Sequence, residues 1–291
     1  MLLQEKIDVT NFSNNEQIVV DFINQNQENI NSYSTTQIAK ETYTSPSVLI
    51  RIAKKLGFNG WLELKKAYVE ELTYLHRHFK NIDANLPFSK EDSLISISNK
   101  LAQLKIESIQ DTLSLVDSPN LSQAIKLLDQ SKKIEVFGLS NIIFLAEEFV
   151  HKMRHLGSNT EIFPIQNIMF QEAAMMGSQD CAIFISYSGE SDPLFTVTDI
   201  LKQNHVPIIA ITSIGDNRLS KLSDVSLRVT TREHSYTKIA GFSSLESISL
   251  ILDILYSGYF AKNFNNNYDF KIGLSKKTEF RNIDNHIIQD D

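Results

Sequence analysis

The sequence predicts an all-α N-terminal unit followed by an α/β domain built on a doubly wound, parallel, five-stranded sheet. Three observations predict this division. Residues 1–78 place apolar side chains at helical spacing, with no strand-like alternation longer than a few residues. From about residue 93, short and nearly continuous apolar runs alternate with amphipathic stretches, as parallel strands covered on both faces by helices do. At 291 residues, the chain exceeds one average domain and fits two.

Each element follows in order. Asn14-Asn15-Glu16 ahead of Ile18, Val19, Phe22 and Ile23 predicts a capped amphipathic helix. Ser34-Thr35-Thr36 caps a second, with Ile38 and Ala39 facing inward. Ser45 opens a third, with Pro46 at the first helical position, where a missing N–H does no harm. Val48, Leu49, Ile52 and Leu56 form its buried stripe and Gly57 stops it. Trp61, Leu64, Tyr68 and Leu72 mark a fourth helix, and 79–92, with Pro87, reads as a linker. Helices over 93–116 and 119–130 precede strands at 134–138, 159–163, 181–186, 206–212 and 225–229. Between and after the strands, helices are expected near 141–156, 167–176, 191–204, 217–223 and 241–260. The expected domains are 1–78, a linker and connecting helix at 79–105, the α/β domain at 106–262, and an Asn-rich polar tail at 263–291, flexible or an arm on a partner subunit.

Composition narrows the function classes. Hydrophobic residues make up 42% and charged residues 22%, which supports an ordinary buried core. No run approaches the ~18 apolar residues of a membrane span, so no membrane partner is expected. The polar, acidic start does not read as a secretory signal, and the single Cys181, inside an apolar run, suits a reducing cytoplasm. A net charge of −7 argues against a chain that coats nucleic acid indiscriminately. Its distribution is uneven: residues 1–35 hold one lysine against five acidic residues, whereas 36–80 hold eight Lys/Arg against four.

That basic stretch contains a helix-turn-helix spacing. Thr36-Gln37-Ile38-Ala39-Lys40 is followed, after a short turn, by Ser45-Pro46-Ser47-Val48-Leu49-Ile50-Arg51. In such a motif the start of the second helix enters the major groove. Ser45, Ser47, Ile50 and Arg51 are therefore the candidate DNA contacts, with Lys54 and Lys55 as phosphate partners. An ordinary helical hairpin has the same outline. The wider segment, however, resembles the N-terminal domain of the RpiR family of transcription regulators. It keeps Ala39, Ser45, Arg51, Leu56-Gly57-Phe58, Gly60, Trp61, Glu63, Leu64 and Lys65 of that pattern, and departs at Val48-Leu49, where the family more often has Thr-Val.

A second cluster lies in the α/β half. Ser186-Tyr187-Ser188-Gly189-Glu190-Ser191 directly follows the apolar run CAIFI, placing hydroxyls and a glycine between a strand and a helix, where an anion can be cradled. Thr212-Ser213 ends the next strand and could line the same site. Residues 130–260 resemble the sugar-isomerase (SIS) phosphosugar-binding domain through Phe137-Gly138, Ala146-Glu147, Arg154-His155-Leu156-Gly157, Ser186–Ser191, Ile211-Thr212-Ser213, Leu219-Ser220 and Asp224. The resemblance implies that Ser186, Ser188 and Ser191, with Gly189, hold a sugar phosphate. The family's first loop, G-x-G-x-S, reads here Gly138-Leu139-Ser140-Asn141-Ile142, so Ser140 or Asn141 would take over its contact. Asp192-Pro193 also departs from the residues that often follow the loop in the isomerases.

An isomerase would need a base beside the sugar's C1 and C2. Glu190, Glu233, His234 and Glu246 qualify by residue type only. His151 and His155 have an i, i+4 spacing that can hold zinc, but no further ligand pair accompanies them; His76-Arg77-His78 reads as a basic helix end. No metal, cofactor or catalytic residue is expected. The reading is a cytoplasmic regulator that binds double-stranded operator DNA and a phosphorylated sugar, as a homodimer or homotetramer, with a sugar-phosphate isomerase carrying an accessory helical domain as the alternative.

Overall fold

The computed structural model describes residues 3, 6, 7, 10–78 and 82–280, and the side chains among them except those of 28 and 72–78. Leu72 and the His76-Arg77-His78 cluster lie outside the described side chains. In the N-terminal domain, α1 (Asn14–Gln25) starts from a capping box: Ser13 N donates to Glu16 Oε2 at 2.8 Å, closing the first turn. A 3-10 turn (Gln27–Ser32) leads to α2 (Thr35–Glu41), whose start repeats the device with Ser34 and Gln37. Next come α3 (Pro46–Lys55) and α4 (Trp61–His78). Val19, Val20, Ile23, Ile38, Ala39, Leu49, Ile52, Leu56, Trp61, Leu64 and Tyr68 meet in one buried core. Leu3 and Ile7 join that core, a burial that the polar opening of the sequence did not suggest.

The α/β domain begins with α5 (Leu94–Leu115) and α6 (Ser118–Gln130). There follow β1 (Ile134–Gly138), α7 (Ile142–Arg154), β2 (Thr160–Ile162), α8 (Gln166–Met175), β3 (Cys181–Ile185) and α9 (Asp192–Gln203). The order closes with β4 (Ile208–Ser213), α10 (Arg218–Leu222), β5 (Val225–Val229) and α11 (Ser244–Lys262). The sheet is parallel throughout, in the order β2-β1-β3-β4-β5. Its strands are apolar on both faces because both faces are covered. Ile134, Val136, Ile183, Ile185, Ile209 and Ile211 pack under α6, α7 and α11. Phe137, Ala182, Phe184, Ile208 and Ala210 pack under α8, α9 and α10. The helix after β1 therefore covers one face and the helix after β3 the other. The β1/β3 boundary is the topological switch point, where the two loops diverge and leave a crevice.

Two segments outside the sheet domain take definite form. In the polar tail, Phe264–Thr278 is helical (α12) and buries none of its residues, while 281–291 lie outside the described residues. The linker before α5 is docked on the α/β domain. Ala84 is buried, and Asn85 accepts from His234 N at 2.7 Å through its side chain and from Ile239 N at 3.0 Å through its carbonyl. Hydropathy could not reveal this docking, since it is made by polar atoms.

Candidate functional sites

The switch-point crevice is built from three loops. After β1, Gly138 passes so close to α7 that an added Cβ would lie 2.8 Å from Ile142 Cγ2. Ser140 follows with φ 57°, the left-handed conformation that glycine adopts freely and other residues rarely do. The position where the resembling family has its second glycine thus keeps the glycine backbone with a serine on it. Ser140 and Asn141 are both exposed.

After β3, Ser186–Ser191 forms a tight hydroxyl-lined turn. Ser186 Oγ accepts from Gly189 N at 3.2 Å and lies 3.3 Å from Ser191 Oγ, and Ser188 Oγ accepts from Glu190 N at 3.2 Å. Gly189 has φ 67°, and a Cβ there would collide with the side chain of Asn217. Ser188 is exposed, Ser191 half-buried, and Ser186 buried at the floor. Ser191 occupies the N-cap position of α9, so the turn sits at that helix's positive end.

At the end of β4, Thr212 and Ser213 are buried rather than displayed. Thr212 Oγ1 accepts from Asn217 Nδ2 at 3.1 Å, while Asn217 Oδ1 accepts from Ser220 N at 2.9 Å and caps α10. These residues brace the serine turn from beneath. Sequence reasoning missed Asn217; its only signal there was an Asn ahead of a short helical stretch.

The carboxylates singled out as possible bases are engaged elsewhere. Glu190 Oε1 accepts from Arg218 N at 2.9 Å. Glu233 caps α11, accepting from Ser243 N at 2.6 Å and Ser244 N at 3.0 Å, and pairs with Lys238 at 2.9 Å. Glu246 pairs with Lys105 at 2.7 Å, and His234 Nδ1 lies 3.3 Å from the Thr237 hydroxyl. The His151 and His155 rings are 4.2 Å apart; burial, His151 and Lys271 hold His155 below the usual histidine range. Among the described residues, no cluster of three or more His, Cys, Asp or Glu could hold a metal ion.

The loop after β5 joins the crevice to the N-terminal side of the domain. Tyr187, within the serine turn, accepts from Glu233 N at 3.0 Å and donates to Glu233 O at 3.1 Å through its hydroxyl. Next to Glu233, the buried Arg232 pairs with Glu107 and Asp111 of α5, both at 2.9 Å. Asn85 hydrogen-bonds the same loop.

In the helical domain, Ser47, Ile50, Arg51 and Lys54 fall at helical spacing on the exposed side of α3, opposite its buried Val48, Leu49, Ile52 and Ala53. Ser45 is its N-cap residue and shares a 2.7 Å hydrogen bond with the Ser47 hydroxyl. Lys55 differs: its ammonium lies 2.7 Å from buried Glu16 and 3.0 Å from Asn11 O, which ties α3 to α1. The Lys55 and Ser13 hydrogen bonds hold the Glu16 carboxyl down at about 2. Arg51 keeps a 58% exposed side chain, 3.9 Å from the same carboxylate.

A helical domain with an outward polar helix, joined to a doubly wound domain with an anion-suited crevice at its switch point, defines a ligand-responsive DNA-binding protein. The model of the rpiR-family helix-turn-helix domain matches residues 1–74, and that of the SIS domain matches 127–258. The chain belongs to the RpiR family of transcription regulators.

Solved structures agree in fold. Vibrio vulnificus NanR, complexed with ManNAc-6P, is 19% identical, with 94% of this chain and 96% of that one covered at a TM-score of 0.61. The sugar isomerase domain of an RpiR transcription factor from Sphaerobacter thermophilus is 14% identical, covering 62% and 98% at 0.56. A candidate sugar-phosphate isomerase from Listeria monocytogenes is 15% identical, covering 62% and 97% at 0.55. No helix among the described residues is long and apolar enough to cross a membrane.

Proposed function

We propose that the chain is a cytoplasmic regulator of sugar-metabolism genes that binds operator DNA through α3 and a phosphorylated sugar at the β1/β3 crevice. The observation that carries this reading is the serine turn at the switch point, on a chain whose other domain presents an outward helix of polar and basic residues. Ser186, Ser188, Gly189 and Ser191 receive the phosphate, using hydroxyls, main-chain N–H groups and the positive end of α9. Ser140 and Asn141 close the site from the β1 side, and Thr212 and Ser213 support it. Ser45, Ser47, Ile50 and Arg51 meet bases and backbone; Lys54 neutralises phosphate, and Lys55 holds α3 in place.

The chain acts without catalysis. Glu190, Glu233 and Glu246 each hold a structural partner, so none is a free base beside a sugar carbon. It works as a homodimer or homotetramer, which pairs two reading heads on one duplex. The exposed Leu94, Ile95, Ile106 and Leu113 of α5 and the unburied α12 support self-association. Effector binding at the serine turn shifts the loop after β5 through Tyr187, and that loop moves α5 and the segment entering it.

A mobility-shift assay on DNA upstream of the chain's own gene, with and without a panel of hexose and amino-sugar phosphates that includes ManNAc-6P, tests the reading. A retarded band whose salt dependence reflects phosphate contacts, and whose midpoint moves with one phosphosugar, is expected. Turnover of a phosphosugar with no DNA binding would establish the isomerase instead.

A further inference from the structure

Helices α2, α3, α7 and α9 end in the same hydrogen-bonded turn, in which one residue takes positive φ and the next N–H reaches back to the helix. At α3 and α7 that residue is Gly57 (φ 91°) and Gly157 (φ 77°). At α9 it is His205 (φ 56°), a residue type that visits this region more often than most. At α2 it is Tyr43, with φ 51°. Tyr43 N donates to Lys40 O at 3.2 Å and Thr44 N to Ala39 O at 2.9 Å, so the turn is fully formed around a bulky residue that this conformation disfavours. The ring gains nothing from the fold in return, because Tyr43 is 97% exposed. Two residues later comes Ser45, the N-cap of α3, with a row of hydroxyls on either side: Thr42 to Thr44 at 2.9 Å and Ser45 to Ser47 at 2.7 Å.

A strained, outward aromatic stands where glycine would suit the fold better, beside the end of α3 proposed to enter the groove. We propose that Tyr43 is a DNA-contact residue, its ring laid on the sugar-phosphate backbone beside the start of α3 and its hydroxyl donating to a phosphate oxygen. Tyrosine makes this contact commonly, and the contact is indifferent to base sequence. The inference rests on α2 and α3 forming the DNA-reading unit.

The test uses the full chain, a labelled random-sequence duplex of about 30 base pairs at about 50 mM salt, and fluorescence anisotropy, beside thermal melting without DNA. Tyr43→Gly is expected to melt about 4 °C higher and yet bind the duplex about tenfold more weakly. Tyr43→Asn, which also suits the turn, should show the same loss, and Tyr43→Phe a smaller one. Arg51→Ala is the control. If the wild-type chain does not bind the duplex, the DNA-binding reading fails and this proposal with it. If Arg51→Ala weakens binding while Tyr43→Gly and Tyr43→Asn bind as the wild type does, Tyr43 alone is excluded. Unchanged affinity with an altered oligomeric mass would assign the ring to a subunit contact and overturn the proposal.

Discussion

At the scale of single residues, two positions in the crevice carry opposite demands. Ser140 occupies a left-handed conformation that costs an L-residue about 1 kcal/mol. Ser140→Gly is therefore expected to raise stability by about that amount in denaturant melts. If the hydroxyl at 140 holds the effector, the same variant weakens phosphosugar binding; a variant that is more stable and binds equally well would leave the contact to Asn141. Ser188 is the most accessible hydroxyl of the serine turn. Ser188→Ala should lower phosphosugar affinity about tenfold, the loss of one donor to a charged acceptor, with DNA binding in the absence of ligand intact. Calorimetry reads the difference directly, and an unchanged Kd would remove the turn from the site. Gly189 permits no such exchange, because its positive φ and the Asn217 side chain together exclude a Cβ.

At the scale of elements, the amino end of the sheet holds a charge cluster that the crevice does not use. Lys133, just before β1, lies 2.8 Å from Glu172 of α8, 3.1 Å from Glu135 of β1 and 3.4 Å from Glu161 of β2. Glu135 is fully buried, and burial, with the charges of Glu172 and Glu161, outweighs Lys133 and pushes its carboxyl up to about 7. An unfolded carboxyl titrates near 4.5. Between those values the folded chain keeps a proton that the unfolded chain has released, so this group makes stability fall as pH rises from about 4.5 to 7. Glu135→Gln removes that slope. Relative to wild type, the variant is expected to gain about 3 kcal/mol between pH 4.5 and 8, measured by urea unfolding, and a difference independent of pH would show that Glu135 is ionised throughout. Glu16 runs the other way: its depressed carboxyl supports the α1–α3 contact at neutral pH and ceases to do so only as pH falls toward 2.

At the scale of the whole molecule, the proposed coupling between the crevice and α3 requires a route of contacts. The contacts run from Tyr187 to the Glu233 main chain, from Arg232 to Glu107 and Asp111 of α5, and from Asn85 to the same loop, just before α5 begins. Coupling is a free-energy difference between two states, so a residue that carries it can be removed without abolishing either binding event. Asn85→Ala is expected to leave phosphosugar and DNA affinities near wild type when each is measured alone. The shift that one ligand causes in the other's affinity should shrink about fivefold, roughly 1 kcal/mol of coupling. Full coupling retained in the variant would rule out this hook as the connection. Arg232 is unsuited to that experiment, since its loss would strand the buried Asp111 and half-buried Glu107 carboxylates and destabilise the domain.

How much was legible beforehand varied with the kind of force involved. The five parallel strands, both layers of helices and the serine turn followed from apolar runs, caps and the chain order, because those depend on burial and local backbone preference. The outward face of α3 was equally readable, as Val48, Leu49, Ile52 and Ala53 fix which side is inside. The sequence by itself thus determined the fold class and the family. Only the tertiary structure decided that Thr212 braces rather than displays, that Lys55 serves Glu16, that Asn85 is docked and that 264–278 is helical. The Lys55 and Asn85 contacts join polar atoms of distant segments at 2.7 Å, and residue type carries no record of which partner a donor finds.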